Sequence, residues 1–368
     1  MPKHYAISLF SGAGGLDLGI EAAGFTTRLC TDIDDFSCKT LNHNKALNLG
    51  DPAHPFLGEA NIVQGNIKEY PTERILADAG LTADQVDLVY GGPPCQAFSV
   101  FGKRQGVNDP RGTLLWDYIR VIREIRPKAF IFENVAGILT IDGGSIFQTL
   151  LDELSSDGEG NKLYTLSYSL YNAAAYGIPQ YRQRVIIYGV QGDTPVPIAQ
   201  PTHYPYPETP QLGLLPPVTA GDALRGLPYE ADGSVANHVG RVHGEVVTER
   251  YRNLAYGERD SKTRINKLDP ARPSFTIVVG SDHGGGKGHV HPYVPREVTP
   301  RESARMQTFP DFWEFTGTSR HPIRQVGNAV PPLLGGVVAS QLMRNYFHDD
   351  APDYNGLIER LGLEYLKK

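Results

Sequence analysis

The sequence predicts an α/β fold, in which a parallel sheet covered by helices is followed by a smaller, irregular domain. Within residues 1–190, short apolar runs alternate with amphipathic stretches, which is the pattern of parallel strands joined by helices. Eight prolines lie between residues 195 and 217, too many for the interior of a helix or strand, and they indicate a domain boundary. Regular patterning returns at 301–309 and at 333–346, and the second of these segments is typical of a buried helix.

Apolar runs in the first half of the chain predict strands at 4–9, 27–32, 86–91, 129–133 and 184–190. Helices are predicted at 14–24, 34–43, 113–126 and about 145–154. The helix at 113–126 is well defined, because its apolar residues recur at helical spacing and Pro127 ends it. Sheets of this class bind ligands at the carboxyl ends of their strands, so the residues that follow each strand are candidates for function.

The composition excludes several classes of protein. Hydrophobic residues make up 40% and charged residues 21% of the 368 residues, so the chain is globular rather than disordered. The three cysteines, Cys30, Cys38 and Cys95, are too few for a disulfide framework and indicate a reducing compartment. No apolar run approaches the ~18–20 residues of a membrane span, and the first ten residues lack the apolar core of a signal peptide. We therefore expect a cytoplasmic protein with no membrane partner.

The net charge of −6 is concentrated in the first ninety residues, which hold six Lys or Arg against twelve Asp or Glu. Residues 236–305 instead hold twelve basic against eight acidic side chains. This locally basic segment is compatible with a phosphate-backbone partner, although an ordinary solvated surface would give the same balance.

A glycine-rich turn, Phe10 to Leu16, follows the first predicted strand and opens a helix. Such a turn lets the backbone approach a ligand, and Asp32 at the end of the second strand is the usual partner of ribose hydroxyls. The dinucleotide fingerprint GxGxxG is not met, because Asp17 occupies the position of the third glycine, so an NAD or FAD site is disfavoured. A nucleoside cofactor and a purely structural turn both remain open at this point.

Three further segments follow predicted strands or precede them. Gly91-Gly92-Pro93-Pro94 forces a rigid exit from the fourth strand and projects Cys95 outward, whereas Cys30 and Cys38 fit small buried hydrophobes. Glu133 ends an apolar strand and is either a solvent-facing or helix-capping charge or an active-site group beside Cys95. Arg182 and Arg184 are spaced to point to one side of a strand, where they could hold one anion or carbonyl.

Taken together, six blocks resemble, in content and order, those of the DNA cytosine-5 methyltransferase family, of the prokaryotic modification type. The blocks are FSGAGGLDLG (10–19), GGPPCQAFS (91–99), ENV (133–135), QYRQR (180–184), RESARMQTFP (301–310) and QVGNAVPP (325–332). The resemblance covers residues 7 to about 345. It implies a Rossmann-like S-adenosylmethionine-dependent methyltransferase sheet with a smaller irregular target-recognition domain.

The resemblance also implies the chemistry. Cys95 would add to carbon 6 of a flipped-out cytosine in double-stranded DNA, so that carbon 5 can take a methyl group. Glu133 would hydrogen-bond or protonate ring nitrogen 3, and Arg184 would hold the base carbonyl with Arg182 as helper or support. Residues 97–112 resemble the family's mobile active-site loop, and no metal is needed.

The implied cofactor is S-adenosylmethionine. The residues that the resemblance assigns to its pocket are Phe10, Gly12, Gly14, Leu16, Asp32, Ile33, Asn66, Leu114, Asn328 and Val330. Asn66 departs from the family, which commonly has an aspartate at this position for the adenine amino group.

The domains expected on this basis are a catalytic domain of 1–190 plus 320–347, a target-recognition domain of 191–319 and a tail of 348–368. Arg301, Glu302 and Arg305 are expected to form one ion-paired helix face. We expect a monomer that is associated with the nucleoid. Its expected partners are double-stranded DNA and a restriction endonuclease that acts on the same site. A tRNA methyltransferase and a non-catalytic DNA-binding repressor remain alternatives, although the tRNA branch carries a Cys-Phe-Thr signature and no cysteine follows Cys95.

Overall fold

The computed structural model describes residues 3–94, 113–277, 288–318 and 320–367. Within these ranges the main element is a seven-stranded sheet with the order β5-β2-β1-β6-β7-β9-β8. Its strands are β1 (His4–Leu9), β2 (Phe25–Asp32), β5 (Asn61–Gln64), β6 (Leu88–Gly91), β7 (Ala129–Val135), β8 (Thr165–Asn172) and β9 (Gln183–Val190). A two-residue hairpin, β3 (Gly50–Asp51) with β4 (His54–Pro55), lies outside the sheet.

The helices of the first half are α1 (Gly15–Ala22), α2 (Asp35–Ala46), α3 (Thr72–Ala79), α4 (Thr113–Ile125) and α5 (Ser145–Ser155). Those of the second half are α6 (Ala220–Leu224), α7 (Glu245–Asn253), α8 (Pro300–Met306), α9 (Arg320–Asn328), α10 (Pro332–Leu342) and α11 (Tyr354–Arg360). None of the helices in the described ranges is long and apolar enough to span a membrane.

The predicted α/β class is confirmed, but the sheet is mixed rather than wholly parallel. β1, β2, β5, β6 and β7 are parallel, whereas β9 runs antiparallel to both β7 and β8. The connection from β8 to β9, residues 173–182, is shorter than the dozen or more residues that a parallel crossover requires. The expectation of a parallel sheet was therefore wrong for β9, the one strand of the seven that runs in the opposite direction.

Apolar side chains alternate between the two faces of the sheet and form two cores. Ala6 of β1 belongs to the core that contains α1, α10 and α11, whereas Ile7 and Leu9 belong to the core that contains α4 and α5. Both faces of the central strands are thus buried, as expected of parallel strands between helical layers. This packing leaves the carboxyl ends of the strands as the edge where polar groups can gather.

The C-terminal end of the chain packs against the N-terminal helix. A Cβ placed on Gly19 of α1 would lie 2.3 Å from the carbonyl oxygen of Pro332 and 2.4 Å from the amide nitrogen of Gly336, so α1 and α10 touch through their backbones. α11 follows, and Leu357, Leu361 and Leu366 are buried in the same core. Residues 354–366 therefore form packed structure within the segment that the sequence suggested as a tail.

The chain between β9 and α8 has little regular structure. Its small apolar cluster is formed by Tyr251, Ile265 and Val290, with Val247 and Leu254 packed against it. α8 lies at the end of this segment, and Ala304 and Met306 belong to the main core. The irregular segment is thus anchored to the sheet domain through α8.

Candidate active site

The turn after β1 is held against the end of β2. Gly12 donates its backbone N–H to Oδ2 of Asp32 at 2.7 Å, and Asp34 donates its N–H to Oδ1 at 2.8 Å. Burial raises the pKa of Asp32, and these two N–H groups oppose that shift. Each carboxylate oxygen keeps lone-pair capacity, so the group can still accept hydrogen bonds from the hydroxyls of a ligand.

The turn is left-handed at three positions, with φ of 58° at Phe10, 55° at Gly12 and 87° at Gly14. Glycine is required at Gly14 for a second reason, because a Cβ there would lie 2.8 Å from the Trp313 ring. Trp313 also donates its indole N–H to the carbonyl of Ala13 at 3.0 Å. Trp313 was not among the predicted site residues, because it lies 300 residues along the chain from Ala13 and only the fold brings the two together.

The apolar residues assigned to the cofactor pocket differ in exposure and in the core that they pack against. Ile33 follows Asp32 directly and is 67% exposed, which is unusual for an isoleucine beside a buried strand. Phe10 and Leu114 are both partly buried against the same core, whereas Leu16 is buried in the core on the other face. An exposed apolar side chain next to the carboxylate of Asp32 is suited to the face of a heterocyclic base.

Asn66 lies one residue beyond the point where Gly65 N–H bonds to the Asp32 carbonyl at 2.9 Å. Its amide oxygen accepts the backbone N–H of Lys68 at 3.2 Å and caps the short 3-10 turn Ile67–Glu69. Its amide nitrogen donates to Glu69 at 3.3 Å. Asn66 therefore has a structural role in this protein, and its partial exposure leaves room for a ligand contact.

The segment after α9 returns to the same edge. A Cβ on Gly15 would lie 2.2 Å from the carbonyl oxygen of Val330, so the start of α1 and residue 330 are in direct contact. Asn328, the last residue of α9, has an exposed side chain. The structure thus brings Val330 to the start of α1, directly after the turn that contains Gly12 and Gly14.

Glu133 and Arg184 form an ion pair on the neighbouring strands β7 and β9. Arg184 Nε lies 2.8 Å from Glu133 Oε1, and each side chain is only 12% exposed. Burial raises the pKa of Glu133, and the charges of Arg184 and Arg182 oppose the shift. The alternative of a solvent-facing or capping carboxylate is thereby excluded for Glu133.

The segment that leads to Cys95 packs against this pair. A Cβ on Gly92 would lie 2.3 Å from Glu133 Oε2, which accounts for a glycine at this position. Asn134 donates its side-chain amide to the carbonyl of Pro93 at 2.9 Å. Cys95 itself and the loop 97–112 lie outside the described residues, and Gly92, three residues before Cys95, is in contact with the ion pair.

The two arginines do not share one partner. Arg182 precedes β9, is buried, and donates through Nη2 to the carbonyls of Gly327 and Ala329 at 2.9 and 2.8 Å. Burial lowers the pKa of Arg182 well below its ordinary value. The prediction that both arginines hold one anion or carbonyl is therefore wrong. Arg182 binds the backbone of residues 327–329, whereas Arg184 pairs with Glu133.

A cavity of about 470 Å³ opens beside Arg184 and the end of β7. Among the residues that the structure describes, those that line the cavity are Val135, Ala136, Gly137, Asn172, Tyr181, Gln183, Arg184, Tyr206 and Thr276. This volume lies in the ~300–1,000 Å³ range of ligand sites. Tyr181 and Tyr206 were not among the predicted site residues; Tyr206 lies in the proline-rich segment, 22 residues beyond Arg184.

The helix face expected from Arg301, Glu302 and Arg305 has a different arrangement. Glu302 pairs with Arg296 at 2.8 Å, and Arg305 pairs with Asp311 at 2.6 Å. Arg301 is fully buried and donates to backbone carbonyls, including Trp313 O at 2.7 Å. The three side chains thus bind separate partners rather than one another, so the expectation of one ion-paired face was wrong.

The other two cysteines are buried thiols. Burial raises the pKa of Cys30 well above its ordinary value, and it raises that of Cys38 too. Both remain protonated at neutral pH and are poor nucleophiles. Neither competes with Cys95 for a catalytic role.

Comparisons with known proteins agree with this geometry. The family description "C-5 cytosine-specific DNA methylase" matches residues 5–344. The type II methyltransferase M.NgoFVII of Neisseria gonorrhoeae is 34% identical over 90% of this chain and 84% of its own length. M.XorII of Xanthomonas oryzae pv. oryzae is 32% identical over 94% of this chain and 85% of its own length. A solved DNA modification methyltransferase encoded within an E. coli prophage has a TM-score of 0.71 and 27% identity, and covers 94% of this chain and 100% of its own.

Proposed function

Because the chain belongs to the family of C-5 cytosine-specific DNA methylases, it transfers a methyl group from S-adenosylmethionine to carbon 5 of cytosine in DNA, and we propose that Cys95, Glu133 and Arg184 perform the reaction. The observation that carries the assignment is the buried Glu133–Arg184 pair, at 2.8 Å, against which the chain leading to Cys95 packs.

Cytosine carbon 5 is a weak nucleophile, so the base must first be activated. In the proposed reaction the Cys95 thiolate forms a bond to carbon 6, and carbon 5 becomes electron-rich enough to take the methyl group. Carbon 5 then loses its proton, and the bond between Cys95 and carbon 6 breaks. A free thiol with a pKa near ~8.5 is largely protonated at neutral pH, so the positive charge of Arg184 assists by favouring the thiolate.

Glu133 has the environment of a group that exchanges a proton with the base. Its raised pKa favours a carboxyl that can donate to ring nitrogen 3, and its bond to Arg184 holds it in one orientation. Arg184 lines the cavity and can bind the base carbonyl. We propose that Arg182 acts as a positioning residue, through its bonds to the carbonyls of Gly327 and Ala329.

S-adenosylmethionine supplies the methyl group, and the turn after β1 fits it. The left-handed glycines at 12 and 14 leave the backbone open to the ligand, and Asp32 is held where ribose hydroxyls would bind. We propose that Ile33, Phe10 and Leu114 pack around the adenine and that Gly12, Gly14 and Leu16 flank the methionine part. Asn66, Asn328 and Val330 complete the pocket in this proposal.

We propose further that residues 191–319 read the DNA sequence, and that 1–190 with 320–347 forms the catalytic domain. A target cytosine inside a duplex is inaccessible, so it must be flipped out to reach the cavity. The names of the relatives also support a restriction-modification system, with an endonuclease acting on the same site. An enzyme of this kind meets chromosomal DNA in the cytoplasm, and we propose that it acts as a monomer.

The covalent role of Cys95 is tested with duplexes that carry 5-fluorocytosine at the target position. Fluorine cannot leave as a proton does, so the bond between Cys95 and carbon 6 persists and the complex survives denaturation. We expect the wild-type protein and Cys38→Ser to form this complex and Cys95→Ser to bind DNA without forming it. A Cys95→Ser variant with more than about 1% of wild-type turnover would refute the assignment.

A further inference from the structure

The cavity beside the Glu133–Arg184 pair has an aromatic wall. The rings of Tyr181 and Tyr206 stack with centroids 5.4 Å apart and an interplanar angle of 24°. Both residues line the cavity, and Tyr206 remains 45% exposed although it is stacked. Part of the Tyr206 ring is therefore available to a molecule that enters the cavity.

This wall is fixed from two sides. Tyr181 donates its backbone N–H to the carbonyl of Ser274 at 2.8 Å, and Ser274 donates to Pro179 at 2.9 Å. Tyr206 lies between two prolines, Pro205 and Pro207, which restrict the backbone on both sides. Beyond them, Glu208 pairs with Arg272 at 2.5 Å. An ordered ring of this kind loses little conformational entropy when a ligand packs against it.

The chemistry of the cavity favours a nucleotide over other ligands. Among the described residues that line it, Arg184 is the charged one; its charge is paired with Glu133, and its guanidinium has further N–H groups that can donate to the carbonyl of a base. The remaining lining supplies tyrosine rings, a threonine hydroxyl and two amides, which suit a base and a sugar. An extruded nucleotide has lost its stacking partners in the duplex, and an aromatic ring replaces such a partner for any base.

We propose that Tyr206 is a positioning residue for the target nucleotide, whose ring packs against the extruded cytidine while Tyr181 supports it from behind. This inference rests on the proposed function, since it requires that a cytosine be extruded into the cavity. It adds a residue from the proline-rich segment to the machinery of the catalytic domain. Tyr206 would stabilise the flipped-out state without contacting the reacting atoms.

The test compares Tyr206→Ala and Tyr206→Phe with wild type on a duplex that carries the site methylated by the wild-type enzyme. Tyr168→Ala is the matched control, because Tyr168 is 47% exposed and its ring lies 5.0 Å from that of Phe147, away from the cavity. Three quantities are measured: kcat and KM for DNA, the affinity for S-adenosylhomocysteine, and the fluorescence of 2-aminopurine in place of the target cytosine. The fluorescence of 2-aminopurine rises when the base leaves the stack.

We expect Tyr206→Ala to lower kcat/KM by roughly tenfold and to lower the fluorescence, at unchanged affinity for S-adenosylhomocysteine. Tyr206→Phe, which keeps the ring, should stay within about twofold of wild type, as should Tyr168→Ala. A Tyr206→Ala variant with wild-type kcat/KM and fluorescence would overturn the inference. So would a loss accompanied by an equal loss of cofactor affinity and a lower Tm, since the ring would then only support the fold. A wild-type protein that neither methylates nor extrudes any cytosine would overturn the proposed function as well.

Discussion

Glu133 and Arg184 illustrate how a single contact changes the interpretation of two residues. Considered alone, a carboxylate at a strand end is more often a surface charge than a catalytic group. At 12% exposure for both partners, removing either would leave an uncompensated charge, which typically costs ~3–5 kcal/mol. The intact pair, by contrast, contributes little net stability relative to apolar packing, so its presence at the carboxyl edge of the sheet is better explained by function than by stability.

At Asn66, two roles of one side chain can be separated. Asn66→Asp keeps an oxygen that caps the 3-10 turn and can accept from the adenine amine, so the Kd for S-adenosylhomocysteine should change by less than about tenfold, or ~1.4 kcal/mol. Asn66→Ala should weaken binding by ~1–2 kcal/mol, because a polar ligand group is left unpaired. Titration calorimetry measures both.

Asn172 is the matched control for Asn66, because it caps the 3-10 turn Ala173–Tyr176 through a bond from the N–H of Ala174 at 3.3 Å. Asn172→Ala should lose a similar cap and keep wild-type affinity for S-adenosylhomocysteine. An Asn66→Ala variant that binds as tightly as wild type would show that Asn66 is only a cap.

Asp32 and Glu133 could be identified from the sequence because they lie at the ends of predicted strands, and parallel strands end at one edge. Arg184 lies at the start of β9 and reaches the same edge because β9 runs antiparallel to β7. Trp313 and Gln307 could not be found in this way. Gln307 donates to the carbonyl of Val326 at 2.8 Å, and such a contact depends on tertiary packing that no local pattern encodes.

At the scale of elements, the contact of α1 with α10 depends on the absence of a side chain. A Cβ on Gly19 would meet only backbone atoms of residues 332–336, at 2.3–2.6 Å, and backbone cannot move aside as a flexible side chain can. Gly19→Ala should therefore destabilise the protein by about 3 kcal/mol or more, at the upper end of overpacking effects. Gly244→Ala is the control, because nothing lies within 4 Å of a Cβ there and φ is −69°. Equal free energies of unfolding for the two variants in urea would contradict this packing.

A second element-scale prediction concerns the carboxyls of α1. Burial raises the pKa of Glu21 from 4.5 to about 8, although the N–H groups of Leu57 and Thr27 oppose the shift. At pH values between 4.5 and about 8, the folded protein binds more protons than the unfolded chain. The free energy of unfolding therefore falls as the pH rises through this range. Glu21→Gln removes this titration, whereas Asp17, whose pKa burial also raises, remains.

We therefore expect Glu21→Gln to gain Tm relative to wild type as the pH rises from about 5 to 8. The gain should be about 2–4 °C or more, the shift that ~1 kcal/mol produces in a domain of ~150–250 residues. Glu73→Gln, at an exposed position on α3, should follow the wild-type curve. Parallel curves of Tm against pH for wild type and Glu21→Gln would contradict the prediction.

Strands and helices of the sheet centre were predictable because they are continuous apolar runs or have clear helical spacing. β5 and β8 were missed because they are edge strands with partly polar faces, and Tyr168 and Leu170 of β8 are exposed. The amphipathic α3, a helix of eight residues, was also missed. The antiparallel direction of β9 likewise cannot be deduced from its hydrophobicity, since strand direction is set by connections and pairing.

At the scale of the whole molecule, α8 connects the irregular segment to the sheet domain through backbone groups. Arg305 donates to the carbonyls of Ala223 and Arg225 at 3.2 and 2.7 Å, and Arg301 donates to that of Ala236 at 3.0 Å. Carbonyls are present in any sequence, so these hydrogen bonds do not depend on which side chains the irregular segment carries. Val218 and Leu268 of the segment also pack in the main core, so the sequence can vary while its attachment persists where apolar residues remain at such positions.

Replacing residues 218–295 by the corresponding segment of a relative with another target should therefore transfer the new target and keep the methyl transfer. The physical reason is that the proposed base readout lies in residues 191–319, whereas the Glu133–Arg184 pair lies on β7 and β9. Sequencing of methylated sites produced by the chimera measures the outcome. Methylation that persists at the original site would place recognition elsewhere in the chain.

The central claim is that this protein methylates carbon 5 of cytosine in DNA at a defined site, with Cys95 as the nucleophile. Its most direct test is expression of the wild-type chain, Cys38→Ser and Cys95→Ser in a host without cytosine methylation, followed by mapping of 5-methylcytosine across the genome at base resolution. We expect one short sequence to be methylated throughout the genome in the first two strains and no methylation in the third. Absence of 5-methylcytosine from the wild-type strain, or an unchanged pattern in the Cys95→Ser strain, would contradict the claim.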